Sequence, residues 1–277
     1  MKRRLIQLCA ALLYNLNLKG FAEASIYKGR SKGLCVPGLN CYSCPGAVGS
    51  CPLGTLQNAL SAMDRKLPFY ILGVLLLFGV TMGRTICGFL CPFGLVQELL
   101  FKIPVPKIKK NPVTRELSKV KYVILAVFVI ILPVVFKTVS GLPVPAFCKY
   151  ICPAGTLEGG IPLVLLDESL GGLAGALFHW KVLVLAVLLV SACFVYRSFC
   201  RFLCPLGAIY SLFAPVALLG VKIDRDACID CGRCVRNCKV DIRQVGDREC
   251  IQCGECMKEC NVDAIYWKKP WDMKGKK

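Results

Sequence analysis

GRTICGFLCPFGLVQELL, residues 83–100, follows a run of uncharged, mostly apolar residues, and it carries two cysteines four residues apart with a proline after the second. Proline is favoured in the first turn of a helix, where its missing N–H costs nothing. C-P-x-G therefore places the cysteine at the cap and starts a new helix behind it. The thiolate then sits at the positive end of that helix, where free backbone N–H groups favour negative charge.

The phrase recurs as CPLGTLQNAL at 51, CPFGLVQELL at 91, CPAGTLEGGI at 152 and CPLGAIYSLF at 204. In the last three copies another cysteine lies four residues upstream, at Cys87, Cys148 and Cys200. In the first copy Ala47 holds that place, and Cys44, Cys41 and Cys35 lie further upstream. A single copy would be a buried cysteine at a helix turn. Four copies argue for ligands.

The chain of 277 residues is 56% hydrophobic and 19% charged, with mean hydropathy +0.59. Those values point to an integral membrane protein. Its 20 cysteines fall into short repeated spacings that suit metal rather than a disulfide framework. The formal charge of +18 sits beside apolar runs and near the C-terminus, where membrane anchoring accounts for it. Nucleic acid is not an expected partner, since no recognition helix or aromatic-interleaved basic patch stands out.

Apolar runs at Phe69–Ile86, Tyr122–Phe136 and Phe178–Tyr196 predict three membrane spans. Leu5–Leu18, which carries Gln7, Asn15 and Asn17, is taken as a fourth. The stretch from Gly155 to Leu177 holds Pro162 and Asp167-Glu168 and suits a re-entrant or interfacial segment. The expected fold is thus an α-helical integral membrane domain of about four spans, built as an internal parallel repeat with helices started by C-P. Its halves run about 1–105 and 118–221. The basic loop 102–121 and the N-terminal MKRR place both termini in the cytoplasm. Lys19, Lys28, Arg30 and Lys32 then fall outside, against the charge rule.

Alternating spans and motifs bring the second and fourth motifs to the inner side and the first and third to the outer side. Four thiolates complete a [4Fe-4S] site. Cys87, Cys91, Cys200 and Cys204 make the inner set. Cys51, Cys148, Cys152 and Cys44 make the outer set, with Cys41 or Cys35 as alternates for Cys44. Zinc also accepts four thiolates, but the C-terminal cysteine runs argue for iron. CIDCGRCVRNC at 228 and CIQCGECMKEC at 250 are each C-x2-C-x2-C-x3-C, the two-cluster bacterial ferredoxin spacing, in which the fourth cysteine of each run ligates the other cluster. The predicted sets are Cys228, Cys231, Cys234 and Cys260, and Cys250, Cys253, Cys256 and Cys238. Residues 222–268 are expected to form an α+β ferredoxin domain, followed by a basic tail at 269–277. The proline usual after each fourth cysteine is replaced by Lys239 and Asn261. Cys9 and Cys193 lie in apolar runs as packing residues, and the single histidine, His179, excludes a bis-histidine haem within one chain.

C-x3-C-P motifs in a multi-span region joined to a double-cluster ferredoxin segment resemble the membrane-bound polyferredoxins of the NapH/NosR type, over roughly residues 69–265. The resemblance implies a multi-pass protein of the cell membrane, its ferredoxin domain in the cytoplasm, working anaerobically. The chain departs from the family in its four C-P motifs and the stretch CVPGLNCYSCPGAVGSC, and its 16 cysteines in matching sets predict four [4Fe-4S] clusters. It implies transfer between a cytoplasmic or quinol donor and an extracytoplasmic acceptor, including a flavin-bearing partner. The chain would then be an electron-transfer component rather than a stand-alone enzyme. A quinol dehydrogenase subunit, with quinone bound near the membrane clusters, and a redox sensor or maturation factor are the alternatives.

Overall fold

Proline and glycine punctuate this chain into short helices whose ends carry the cysteines. The computed structural model describes residues 2–61, 68–108, 110–141, 144–172 and 174–268. The predicted basic tail, 269–277, lies outside the described residues.

Two of the described helices are long and apolar enough to cross a membrane, Pro112–Val139 with hydropathy 2.6 and Ala176–Phe194 with hydropathy 2.2. Their outer faces leave Val123, Ile130, Ile131, Leu183, Val187 and Val190 exposed, an apolar exterior that suits lipid rather than water. The first begins with Asn111 outside the helix, Pro112 in the first turn and Thr114 Oγ1 accepting from Asn111 N at 3.2 Å. Pro133 cannot donate back along this helix, and the turns before it, Leu125–Ile131, widen to π geometry. The same pairing recurs at Pro162, preceded by π turns at Gly155–Gly160.

The other two expected spans are shorter. The helices Lys2–Tyr14 and Phe69–Thr81 have 13 residues each, about 20 Å of rise. The predicted span to Ile86 ends early because Gly83 turns left-handed at φ +48, and the chain restarts as Thr85–Phe89, which carries Cys87. Helix Lys2–Tyr14 stops where the two asparagines that follow it find partners. Asn15 Nδ2 donates to Asn40 Oδ1 at 3.0 Å and Asn17 Nδ2 to Pro45 O at 2.9 Å, so both hold the cysteine-rich loop. Gly155–Leu166 forms one short apolar helix. Asp167 follows it, with Oδ1 accepting from Ser169 N at 3.0 Å, as a loop residue does.

The core lies among the cysteine motifs. Cys51, Cys87, Cys91, Cys152, Cys200 and Cys204 are buried with Leu53, Phe93, Phe147, Phe199 and Leu206 in one cluster. Phe93 and Phe199, one from each inner motif, pack edge to face at 5.2 Å. Beyond it, β1 (Gly220–Ile223) pairs antiparallel with β2 (Ile265–Lys268), Gly220 opposite Lys268 and Ile223 opposite Ile265. This two-stranded sheet brackets both C-x2-C-x2-C-x3-C runs. Leu218 N donates to Val80 O at 2.8 Å and Leu219 N to Thr81 O at 2.9 Å, fixing the strand to the end of helix Phe69–Thr81.

Candidate metal centres

In the two ferredoxin runs the backbone itself is shaped for a ligand. Asp230 and Gln252, each the third residue of C-x2-C, have φ +50 and +54, and the glycines behind the second cysteines, Gly232 and Gly254, have φ +67 and +73. Non-glycine residues avoid this region unless their surroundings compel it. Successive turns of this kind aim backbone N–H groups into a concave, anion-holding nest. Cys228, Cys231, Cys234 and Cys260 line a cavity of about 390 Å³ closed by Ile223, Ile229, Ala264 and Ile265. Cys250 and Ile251 form a second buried cluster with Tyr196, Val240 and Ile242, against which Cys238, Cys253 and Phe101 pack. Burial pushes the Cys256 thiol up to about 12, helped by the nearby charges of Cys250, Cys253, Cys238 and Cys234. The four predicted ligands of the second ferredoxin set therefore lie together, with Cys234 of the first set beside them.

The inner set is fully enclosed. Cys87, Cys91, Cys200 and Cys204 are each buried. Burial pushes Cys91 up to about 12, followed by the charges of Cys200 and Cys87, while N–H groups of Leu39 and Gly94 pull it down. Cys91 and Cys204 are extended, with proline in the first helical turn behind each, and Gly207 N donates to Cys204 Sγ at 3.3 Å. Two arginines stand three residues before the first cysteine of each inner motif, in R84-T-I-C and R197-S-F-C. Both are buried, and each reaches across to the other motif. A Cβ on Gly207 would lie 3.2 Å from Arg84 Nη1, and one on Gly94 would lie 3.3 Å from the Arg197 guanidinium. Arg197 also donates to Cys87 O. Its charge is answered by Glu98, whose Oε1 lies 2.7 Å from Arg197 Nη2 and accepts from Tyr196 OH at 2.8 Å. Arg3 grips the same carboxylate with two bonds of 2.6 and 2.7 Å. Arg84 donates to Glu249 Oε2 at 2.9 Å, where Lys121 also donates. This places a cation pair around the inner set and ties it to the ferredoxin segment.

In the outer set the cavity, of about 320 Å³, is lined by Cys41, Cys51, Cys148 and Cys152. The two C-P-x-G glycines face it. A Cβ on Gly155 would lie 3.7 Å from Cys152 Sγ and 3.8 Å from Cys41 Sγ, and one on Gly54 would lie 3.9 Å from Cys148 Sγ. Cys44, the expected fourth ligand, points elsewhere, its Sγ 3.4 Å from Asn15 Oδ1. Cys35 Sγ lies 3.6 Å from Thr55 Oγ1, also off the cavity wall. Cys41 is held at the cavity by a long-range contact, since Glu158 Oε2 accepts from Cys41 N at 2.7 Å.

Glu158 belongs to a pattern that the cysteine spacing alone does not reveal. Six residues after each C-P cysteine stands a side chain that clasps a cysteine-bearing segment elsewhere. Gln57 Nε2 donates to Cys148 Sγ at 3.2 Å while its Oε1 accepts from Phe147 N at 2.9 Å. Gln97 repeats this on Cys200 at 3.1 Å and Phe199 N at 3.1 Å. In the other copies Glu158 holds Cys41, and Tyr210 OH donates to Pro37 O at 2.9 Å. Alignment of the four copies on their C-P pairs is the signal that finds these residues.

Among the described residues no three His, Cys, Asp or Glu side chains converge on a point that would hold a single metal ion. A cuboidal iron–sulfur cluster instead spaces its thiolates around itself, and thiol-lined cavities fit that need. Asn40 adds a second sign of fit, being buried with its Nδ2 unpartnered and lining the outer cavity. Such an N–H suits a cluster sulfur. A cluster bound here would supply one-electron chemistry, while the chain's part is to bury it, hold it with thiolates and surround it with N–H donors and charge.

Comparisons with known proteins agree with this chemistry. A family described as "4Fe-4S binding domain" matches residues 50–70, 67–111, 122–161 and 176–225, and a second of the same description matches 221–242. YccM of Escherichia coli, provisionally named an electron transport protein, is 24% identical over 70% of this chain and 54% of its own. The methylamine utilization ferredoxin-type protein MauN of Paracoccus denitrificans is 26% identical over 70% of this chain and 62% of its own. The regulatory protein NosR of Pseudomonas aeruginosa is 30% identical over 57% of this chain and 20% of its own. The chain thus spans less than two thirds of the length of these relatives. No solved structure matches. The chain belongs to the 4Fe-4S binding domain family, among ferredoxin-type proteins of the NapH/NosR kind.

Proposed function

We propose that this member of the 4Fe-4S family is a membrane electron conduit with four [4Fe-4S] sites. It links a cytoplasmic donor of the reduced ferredoxin class, or a quinol, to an extracytoplasmic acceptor such as a flavin-bearing protein. Two sites are held by Cys228, Cys231, Cys234 and Cys260 and by Cys238, Cys250, Cys253 and Cys256. An inner site is held by Cys87, Cys91, Cys200 and Cys204, and an outer one by Cys41, Cys51, Cys148 and Cys152. Cys41 takes the fourth outer place because it lines the cavity.

The observation that carries this reading is the unbroken succession of thiol sets. Cys234 of the first ferredoxin set and Cys256 of the second pack against one buried cluster of Val221, Val245 and Ile265. The loop of the second set packs on the inner motif, where a Cβ on Gly88 would meet Ile251 O at 2.5 Å. The inner motif in turn touches the segment that carries Cys41, since a Cβ on Gly38 would lie 3.2 Å from Cys91 Cα.

We place Lys2–Tyr14, Phe69–Thr81, Pro112–Val139 and Ala176–Phe194 as four membrane-crossing segments, with residues 222–268 as the cytoplasmic ferredoxin domain. In support, a basic residue from each of the two segments assigned to the cytoplasm reaches the ferredoxin runs. Lys110 Nζ donates to Val235 O at 3.0 Å, and Arg3 lies 3.6 Å from Glu255. Lys32, one of the four exceptions to the charge rule, is buried and donates to Ala47 O at 2.7 Å, so it is a structural cation rather than a topology signal. The test is anaerobic purification with iron and sulfide counting. Four clusters per chain are expected, and iron for only two would overturn the membrane sites.

A further inference from the structure

Residues 37–41, PGLNC, lie between the inner and outer thiol sets, and each residue of the strap is engaged. Tyr210 OH holds Pro37 O at 2.9 Å. Gly38 passes so close to the inner motif that a Cβ there would lie 2.9 Å from Leu90 O and 3.3 Å from Pro92 Cδ. Leu39 packs in one buried cluster with Cys91 of the inner set and Cys51 of the outer set, and Leu39 and Asn40 line the outer cavity beside Cys51. Cys41 lines the outer cavity, its own N–H held by Glu158 at 2.7 Å. Leu39 and Asn40 are buried, the condition under which irregular backbone is tolerated at membrane depth. Leu39 and Cys41 are separated by two Cα steps, at most about 7 Å.

We propose that the Gly38–Cys41 strap fixes the inner and outer sites within one short backbone step of each other and is the link by which electrons pass between them. This rests on the conduit reading above. Each passage removes one electron from the inner site and delivers one to the outer site. The electron is drawn from a reduced ferredoxin-class donor and finally accepted by an oxidised flavin-class partner. No bond between protein atoms forms or breaks. The long gap that an 18-residue span would impose, about 27 Å at 1.5 Å per residue, is thereby avoided, because the outer loop folds in to meet the inner motif. The free Nδ2 of Asn40 belongs to a residue that lines the outer cavity, where a donor to cluster sulfur raises the reduction potential.

The experiment uses the anaerobically purified full chain, with iron and sulfide counted, fully reduced with a europium(II) chelate and followed by power saturation of its EPR signals. In the parent chain the inner-site signal should relax fast because of its neighbour, and Cys152→Ser, which removes the outer site, should make it saturate at lower power. Four clusters in the parent with identical inner-site saturation in parent and Cys152→Ser would overturn the strap while leaving the conduit sites standing. Iron for two clusters alone in the parent would overturn both. Gly38→Val, which pushes the strap off Cys91, should weaken the coupling. If that variant fails to hold the outer iron, Asn40→Leu serves instead, since it leaves the backbone in place. A downward shift of the inner or outer midpoint potential is expected there, and unchanged potentials would contradict the placement of the strap.

Discussion

Replacing Glu98 by Gln tests the buried charge network beside the inner site. Glu98 is 2% exposed and Arg197 is fully buried, and Arg197, Arg3 and Tyr196 all converge on one carboxylate. Glutamine keeps the shape and one acceptor but removes the charge, leaving Arg197 with no counter-charge. Breaking a buried pair in this way costs about 3–5 kcal/mol. A second route gives a similar figure. Burial opposes ionisation of Glu98, but the Arg3 hydrogen bonds and the charges of Arg197 and Arg3 outweigh it and hold the carboxyl at about 2, against an ordinary 4.5. A depression of that size corresponds to about 3 kcal/mol, present above the unfolded carboxyl range and lost as pH falls from about 4.5 toward 2. The assay is denaturant unfolding of parent and Glu98→Gln in detergent at pH 7 and at steps down to pH 3, comparing their difference so that acid loss of iron, common to both, cancels. The gap should be about 3 kcal/mol at pH 7 and shrink below pH 4.5. Equal stabilities at pH 7, or a gap that ignores pH, would refute the reasoning.

Iron counting on single variants should separate two cysteines of the cysteine-rich loop, with Cys41→Ser losing one cluster and Cys44→Ser losing none. Gln57→Leu should lower the midpoint potential of the outer site and Gln97→Leu that of the inner site, each without moving the other, in a spectroelectrochemical titration. Each of these leaves a buried N–H, of Phe147 or Phe199, without its acceptor, a loss of about 1–3 kcal/mol in an unfolding measurement. Gly155→Val places a side chain between Cys152 and Cys41, so iron for the outer site should be lost while the two ferredoxin sites keep their EPR signals.

The parts of this molecule that are legible in its sequence are those decided locally. C-P-x-G writes a helix start into four consecutive residues, and the helices behind Cys51, Cys91 and Cys204 begin at the proline. The ferredoxin runs are legible because ligand spacing along a tight loop is a local constraint. Span ends are less so. Hydropathy carries Phe69 through to Ile86, but a left-handed turn at Gly83 divides that stretch, and a window average absorbs the Gly83-Arg84 pair that marks it. That Cys41, rather than Cys35 or Cys44, lines the outer cavity goes with a hydrogen bond to Glu158, over a hundred residues away, which spacing cannot reveal. Asn15 and Asn17 weaken a hydropathy average for the same reason, being polar because the cysteine-rich loop requires their amides. Arg84 and Arg197 both stand three residues before an inner cysteine, a spacing visible in the sequence, but a pattern of two gains its meaning only when the side chains are seen to cross.

The most direct test of the conduit is electron delivery across a sealed membrane. The full chain is placed in anaerobic vesicles with reduced ferredoxin on the ferredoxin-domain side and an impermeant flavin-class acceptor on the other. The parent should reduce the enclosed acceptor, and Cys91→Ser/Cys204→Ser should abolish that flux while its ferredoxin-domain clusters still reduce normally. Delivery by the double variant at the parent rate would contradict the account.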